Sequence, residues 1–368
     1  MKRTAHYVGD MPKTDTAFKR RVKHAQRKWR RRAIPHVGDA ADPRSAPGTV
    51  GLPKAEWEQG LFPDLRSDGA HPLAAYLEST GVHWHGARHQ LHSSWTLSAN
   101  LYFPFGRDTA SRALLAAFWS QQFESLAPAN RPTHALQTVT AVELEFAEAE
   151  GTGREPAVLL GELSGARGRR QTSPDVGLML EFEGGGKGLV LMEVKYTEHS
   201  FYNCSRAQAL DDATRRRDCV DAWQSGALLD DPETLCAQAR ERKRPYLALL
   251  VDTFRRRDPN QACHQCPALR GGYQLFRQQA LAAALQRTDT YDFVLSAVAY
   301  DANNRTLIRS LWATGLEHSL EGWARLAQPF VGISHDDWVR FVRDQPHKPA
   351  WCDAWVAYIA DRYGYGAG

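Results

Sequence analysis

Two apolar stretches on either side of a glycine-rich turn dominate the middle of the chain. They cover Val176–Phe182 and Leu189–Met192, and glycine occupies four of the positions between them. This pattern predicts a β-hairpin with strands at 176–182 and 188–196.

The remaining apolar residues predict further strands and helices. Alternation and short apolar runs indicate strands at 136–146, 246–252 and 293–300. Helical periodicity predicts helices at 73–127 with a break near Pro104 and Gly106, at 205–242, at 268–287 and through the tryptophan-rich tail. Strands that alternate with helices indicate an α/β fold.

The first segment with helical periodicity is strongly basic. Residues 18–33 carry nine Lys or Arg and no acid, and Phe18, Val22, Ala25 and Trp29 recur at helical spacing. Such a helix would contact nucleic-acid phosphates and release their counterions, but a solvated helix packed through Trp29 explains the pattern equally well. On the first explanation, the nucleic-acid-binding residues are Arg20, Arg21, Lys23, Arg27 and Lys28. The Pro- and Gly-rich residues 34–73 predict a linker.

Composition limits the class of protein. Of the 368 residues, 43% are hydrophobic and 24% are charged, which predicts a packed core. The net charge is only +4, so the position of the charge says more about partners than its sum. No apolar run approaches the ~20 residues of a membrane span, and six cysteines are too few for a disulfide scaffold. We therefore expect a cytoplasmic protein that does not enter a membrane.

Three charged residues are predicted to meet at one end of the hairpin. If Phe182 pairs with Leu189, Asp175 lies at the same end as Glu193 and Lys195, and an offset of one or two residues does not separate them. Glu193 and Lys195 share a face, because strand side chains alternate. A buried carboxylate usually pairs or binds a metal, and carboxylate oxygens are suitable ligands for Mg²⁺.

This cluster has two explanations. As an active site, Asp175, Glu193 and the carbonyl of Val194 would hold Mg²⁺, and Lys195 would hold or help to deprotonate the attacking water. As a structural feature, the charges would form an ion pair at a sheet edge, since a lone Glu-x-Lys occurs about once by chance in a chain of this length. The Pro174-Asp175 dipeptide and the hairpin register favour a nuclease.

The same residues resemble the PD-(D/E)XK, or restriction-endonuclease-like, nuclease superfamily. Pro174-Asp175 matches the PD element, and Glu193-Val194-Lys195 matches the (D/E)XK element. A bacterial branch of that superfamily with an EVKYTE motif is similar at Glu193–Glu198, Ser94–Pro104, Val142–Phe146, Tyr273–Arg277 and the basic N-terminal helix. The resemblance covers residues 18–300.

The resemblance implies a central mixed β-sheet flanked by helices. It implies that Asp175 and Glu193 bind Mg²⁺, for which Mn²⁺ can substitute, and that Asp175, Glu193 and Lys195 are catalytic. An upstream acid often completes such a site, and we choose Glu145, followed by Glu143, because both are placed on one face of the preceding strand.

A helix residue and a second acid complete the comparison. Gln274 would lie near the site and contact nucleic acid. Relatives place a Gly-Asp pair a few residues before the catalytic Asp, whereas here Glu162 is followed by a polar insert at 164–173, so we assign Glu162 no role. We divide the chain into 1–50, the basic helix and linker, and 51–368, the nuclease domain with a helical C-terminal region.

Cysteines and histidines offer other metal sites. Cys263-x-x-Cys266 has half the spacing of a metal knuckle, and Cys204, Cys219 and Cys236 could complete a Zn or Fe-S site. Iron–sulfur nucleases of this superfamily place one cysteine before the core, but here every cysteine follows it, so buried thiols are favoured. On a helix, His85, His89 and His92 would share a face, but no matched acid accompanies them.

The sequence therefore predicts a Mg²⁺-dependent nuclease, with DNA favoured as its substrate and restriction or phage defence as a candidate biological setting. The alternative is a non-catalytic nucleic-acid-binding protein on a nuclease-like fold. Three questions stay open at this point: whether the substrate is DNA or RNA, whether cleavage is endonucleolytic or exonucleolytic, and whether the chain forms a homodimer or binds a partner protein.

Overall fold

A single mixed β-sheet organises the part of the chain that can be described. The computed structural model describes residues 15–36, 50–255, 263, 265–314, 320–324 and 329–367. Its strands are β1 Leu136–Leu144, β2 Val176–Phe182, β3 Lys187–Lys195, β4 Phe293–Tyr300 and β5 Phe330–Ser334, and they lie in that order across the sheet. β1, β2 and β3 are antiparallel, whereas β4 is parallel to β3 and β5 is parallel to β4.

Helices account for most of the rest of the described chain. The α-helices are α1 Ala17–Ala33, α2 Leu73–Thr80, α3 Ser94–Leu101, α4 Thr109–Ser125, α5 Pro156–Leu159, α6 Ser205–Ala209, α7 Asp212–Arg216, α8 Ala222–Gln224, α9 Ala227–Asp230, α10 Pro232–Leu235, α11 Ala237–Arg242, α12 Tyr246–Arg255, α13 Tyr273–Gln286, α14 Arg305–Ser310, α15 Leu320–Ala324, α16 His335–Asp344 and α17 Trp351–Tyr363. A π-helical turn, Arg217–Asp221, joins α7 to α8, and 3₁₀ turns occur at Lys54–Gly60, Pro63–Leu65, Phe103–Gly106, Pro128–Asn130, Glu183–Gly185 and Leu311–Thr314.

The two faces of the sheet belong to two different apolar cores. On β3, Val190, Met192 and Val194 pack into the core formed with α2 to α4, α16 and α17. Leu189 and Leu191 point the other way, into the core formed with α12 and α13. This alternation makes the fold three-layered, and it places Glu193 and Lys195, which follow Leu191 at even spacing, on the α13 side.

The hairpin is confirmed, but its predicted register is wrong. Val176 pairs with Met192 and Leu178 pairs with Val190, three residues away from the expected partners. The turn is tighter than the glycines suggest, because Gly184 and Gly185 both adopt φ +82° within Glu183–Gly185, whereas Gly188 lies inside β3. This register still leaves Asp175 at the end of the hairpin that Glu193 occupies.

Two predicted elements of the C-terminal half differ from the structure. Residues 246–252 form part of helix α12 and not a strand, because Tyr246, Leu247, Leu250 and Phe254 are buried at helical spacing. The tail was predicted to be entirely helical, but Phe330–Ser334 forms β5 at the edge of the sheet. Close packing explains why β5 contains Gly332, since a Cβ at this position would lie 2.7 Å from Leu320 Cδ1, too close for a normal contact.

The basic N-terminal helix is confirmed as α1, and it packs on the C-terminal helix. Gln26 Nε2 donates to Tyr196 Oη at 3.3 Å and to the Arg362 carbonyl at 2.9 Å, and the Arg362 guanidinium lies 4.7 Å from the Trp29 ring centroid. Most of the predicted 1–50 unit lies outside the described residues, so the boundary at residue 50 stays a prediction. None of the described helices is both long enough and apolar enough to cross a membrane.

Candidate active site

Asp175, Glu193 and Lys195 come together where the hairpin ends. Asp175 immediately precedes β2, and its Oδ2 accepts a hydrogen bond from the Val194 N–H at 2.7 Å. The Lys195 Nζ lies 2.5 Å from Glu193 Oε1, which confirms that the two side chains share a face. All three residues line one cavity of about 540 Å³.

Lys195 is a buried cation that its neighbours keep charged. Its side chain is only 5% exposed, and its Nζ lies 5.9 Å from the Phe201 ring centroid. Burial acts to lower the pKa of Lys195, but the charges of Glu193 and Glu198 raise it above its ordinary value. The group is therefore an ammonium at neutral pH, able to donate hydrogen bonds and unable to act as a base in this state.

The carboxylates of the site disfavour one another's charged forms. Burial and the charge of Glu193 raise the pKa of Asp175 well above its ordinary value, although Lys195 acts in the opposite direction. The same two causes raise the pKa of Glu145 to about 8. Excess negative charge in a buried place is stabilised by a cation, by a proton or by both.

Glu145 does not line the cavity, but it lies near enough for its charge to act on Asp175, and a bend of the backbone rather than strand alternation places it there. β1 ends at Leu144, and Glu145 has φ +49°, in the left-handed region that few residues other than glycine adopt. The Glu145 N–H donates to the Asp175 carbonyl at 3.0 Å, which ties the bend to the start of β2. Glu143 lies elsewhere, 2.8 Å from Arg167 Nη2, so the expectation that both acids share a strand face is wrong.

Glu162 has a structural role that its sequence position did not reveal. It is buried, and its carboxylate accepts from Thr172 Oγ1 at 2.7 Å and forms an ion pair with Arg277 Nη2 at 3.0 Å. Thr172 belongs to the polar insert, so the insert folds back over this carboxylate. Arg277 belongs to α13, and the pair therefore anchors that helix against the insert.

Helix α13 also supplies the amide expected near the site. Gln274 Nε2 donates to Glu193 Oε1 at 3.1 Å, and the Gln274 N–H donates to the Phe201 carbonyl at 2.9 Å. Glu193 Oε1 therefore has two donors, Lys195 and Gln274. Gln274 lines the cavity, which agrees with its predicted position, while its contact with nucleic acid stays a prediction.

The cavity contains residues that periodicity did not indicate. The N-terminal end of α1 contributes Asp15, Thr16 and Lys19, and the loop before α3 contributes His85 and His92. That loop is not helical, so the predicted common face for His85, His89 and His92 does not form. These residues are distant from the hairpin in sequence, and no local pattern connects them to it.

The five predicted nucleic-acid-binding residues of α1 lie outside this cavity. Lys23 points back to Asp15, with Nζ to Oδ2 at 2.5 Å. Arg21 and Lys28 line a separate groove between α1 and α17, and Arg20, Arg21 and Lys28 are exposed. Arg27 is half-buried. The structure leaves their contact with nucleic acid as a prediction.

Four of the cysteines surround a second, much smaller cavity. Cys204, Cys219, Cys236 and Cys266 line a space of about 30 Å³ beside α12 and α13. The Cys266 N–H donates to the Cys219 carbonyl at 3.3 Å, and burial, with the neighbouring thiol of Cys204, raises the pKa of Cys219 to about 12. Among the described residues, no three His, Cys, Asp or Glu side chains are arranged, as they stand, to hold a metal ion.

Comparison with known proteins identifies a family. A family model described as Restriction Endonuclease associating with ARP matches residues 25–364. The match confirms the restriction-endonuclease-like resemblance, and the mixed sheet with flanking helices agrees with that α/β fold. It indicates a nuclease-like role and a nucleic-acid partner. No curated protein and no solved structure matches the chain.

Proposed function

Because this chain belongs to the family of restriction endonucleases associating with ARP, we propose that it is a Mg²⁺-dependent nuclease that hydrolyses phosphodiester bonds of DNA. The observation that carries the proposal is the convergence of Asp175, Glu193 and Lys195 in one cavity at the end of the hairpin. We propose restriction or phage defence as its biological setting.

The donor set suits a hard divalent cation. Asp175 and Glu193 would hold Mg²⁺, with Glu145 and the Val194 carbonyl as further oxygen donors, and oxygen is the ligand that Mg²⁺ prefers. The raised pKa values of Asp175 and Glu145 are caused by burial and then by the charge of Glu193, and they fit this reading because a bound cation would stabilise the charged form of each carboxylate. Glu193 Oε1 is now held by Lys195, so we expect ion binding to include the release of that contact.

Bound Mg²⁺ would lower the pKa of an attacking water and neutralise charge on the phosphate. The protein's own groups would do the positioning. Lys195, as an ammonium, would donate to the water or to a phosphate oxygen and so hold the reacting atoms together. Gln274 would keep Glu193 oriented, and the Val194 N–H would do the same for Asp175.

A cleavage assay tests the proposal directly. Purified protein is incubated with circular plasmid, linear duplex and single-stranded RNA, in Mg²⁺, in Mn²⁺ and in EDTA. We expect DNA cleavage with either metal and none in EDTA; cutting of the circle indicates an endonuclease, and cutting of linear DNA alone indicates an exonuclease. If the protein binds DNA but cleaves it in neither Mg²⁺ nor Mn²⁺, the proposal is overturned in favour of the non-catalytic binding protein.

A further inference from the structure

The N-terminal end of helix α1 forms one wall of the active-site cavity. Thr16 caps the helix, with its Oγ1 accepting from the Lys19 N–H at 3.1 Å, and both residues line the cavity together with Glu193 and Lys195. Gln26, further along α1, binds the Tyr196 hydroxyl, directly after Lys195 in sequence. The helix is therefore fixed to the strand that carries the site, and its first turn has a defined position at the mouth of the active-site cavity.

Asp15 gathers positive charge at this mouth. Its carboxylate lies 2.5 Å from Lys23 Nζ and 3.4 Å from Lys19 Nζ, and its carbonyl accepts from Arg20 Nη1 at 2.5 Å. Burial acts to raise the pKa of Asp15, but the hydrogen bond from Lys23 and the charge of Lys19 bring it below its ordinary value. The Asp15 carboxylate is thus held by two lysines, and Arg20 binds the backbone carbonyl of the same residue.

Lys19 is the cation of this group that belongs to the same cavity as the carboxylates. It lines the cavity, whereas Lys23 and Arg20 do not. Its charge also reaches the opposite wall: after burial, Lys19 is the largest cause that lowers the pKa of His92, to about 4, and it lowers the pKa of His199 as well. Both imidazoles are therefore neutral near pH 7, and among the described residues that line the cavity Lys19 and Lys195 are then the cations, while the other charged groups are acids.

We propose that Lys19 positions the substrate phosphodiester over the carboxylates, and that Asp15 holds Lys19 until a substrate phosphate takes its place. This inference rests on the proposed nuclease function and names the residue that receives the substrate backbone. A phosphate in the cavity would otherwise meet the negative charge of Glu193 and Asp175, and a cation on the facing wall offsets that repulsion. Asp15 and a phosphate oxygen are both anionic acceptors, so the exchange preserves the pairing of Lys19.

The test compares Lys19→Met with Arg31→Met, which removes the same charge from an exposed position near the other end of α1, ~18 Å away at 1.5 Å per residue. Binding to a short DNA duplex in EDTA is measured against salt concentration. Lys19→Met should reduce the slope of log K against log salt by about 0.9, the loss of one phosphate contact, and Arg31→Met should change it less. Equal slopes for the two variants would overturn the proposal.

Two further variants separate positioning from structure. Lys19→Arg should restore the slope. Asp15→Asn should tighten DNA binding severalfold because it frees the lysines, whereas, if the ion pair is purely structural, Asp15→Asn should weaken or abolish DNA binding. In Mg²⁺, Lys19→Met should lower kcat by a factor at least as large as the factor by which it raises KM. Since the binding arm needs no catalysis, wild-type protein that binds DNA without cutting it refutes the nuclease function and still decides the role of Lys19.

Discussion

Replacement of Lys195 by methionine separates the catalytic and structural roles of the buried ammonium. Lys195→Met keeps an unbranched side chain of similar length, removes the charge 2.5 Å from Glu193 Oε1 and leaves Gln274 as a donor to that oxygen. We expect the cleavage rate in Mg²⁺ to fall roughly 10³-fold, or about 4 kcal/mol in activation free energy. In EDTA the variant should also lose about 3 kcal/mol of unfolding free energy, the low end for a broken buried pair, because Gln274 still donates to Glu193 and the Glu193 side chain is 12% exposed.

The assay measures plasmid cleavage and urea unfolding on the same preparations. Lys187→Met is the matched control, since Lys187 begins the same strand but is exposed and distant from the cavity, and it should change neither quantity appreciably. Lys195→Arg should recover most of the stability and little of the rate, because a guanidinium restores charge without the ammonium geometry. Cleavage by Lys195→Met at the full wild-type rate would show that the assigned site is wrong and that the hairpin ion pair is only structural.

Three other outcomes follow from burial and charge. The pKa of Glu145 rises on folding from an ordinary 4.5 to about 8, so its stabilising effect is complete below pH 4.5 and is lost as the pH rises to 8; metal-free unfolding free energy should therefore fall with pH across that window, by a few kcal/mol, and Glu145→Gln should flatten the curve. Arg277→Met should cost about 3 kcal/mol in urea unfolding, since it leaves Glu162 buried without its cation, and an unchanged midpoint would contradict the anchoring role. The thiol of Cys219, with its pKa near 12, should react with iodoacetamide at pH 8 at least about 100-fold more slowly than a free cysteine; stoichiometric zinc or iron in purified protein would contradict the assignment of these cysteines as plain buried thiols.

The hairpin shows why part of this site could be predicted from sequence. Asp175, Glu193 and Lys195 are held by two adjacent strands and one turn, so their meeting depends on local pairing. A register error of three residues moves Asp175 along the strand but leaves it at the same end of the hairpin. The prediction therefore survives an error in the detail from which it was made.

The rest of the site depends on tertiary packing that no local pattern records. Glu145 itself has a left-handed backbone after the end of β1, and this bend places it near Asp175. Strand alternation does not anticipate the bend and predicts a common face with Glu143, which instead pairs with Arg167. Lys19 enters the cavity because α1 docks on α17 and on Tyr196. Short apolar runs are equally ambiguous: residues 246–252 taken alone fit a buried strand, and the helical period becomes visible only when the buried Phe254 is included.

The ion pairs of the cavity suggest how it remains stable without ligands. Glu193 would face a cation during catalysis, and in this structure it faces Lys195; Lys19 would face a phosphate, and here it faces Asp15. Each group is thus paired with an internal side chain whose charge matches that of the proposed ligand. The pairing limits the cost of burying charge in the free protein, but it must be broken when either ligand binds. Because Mg²⁺ would bring positive charge and the nucleic-acid backbone negative charge into the same cavity, each would favour the binding of the other, and linkage makes that effect equal in both directions.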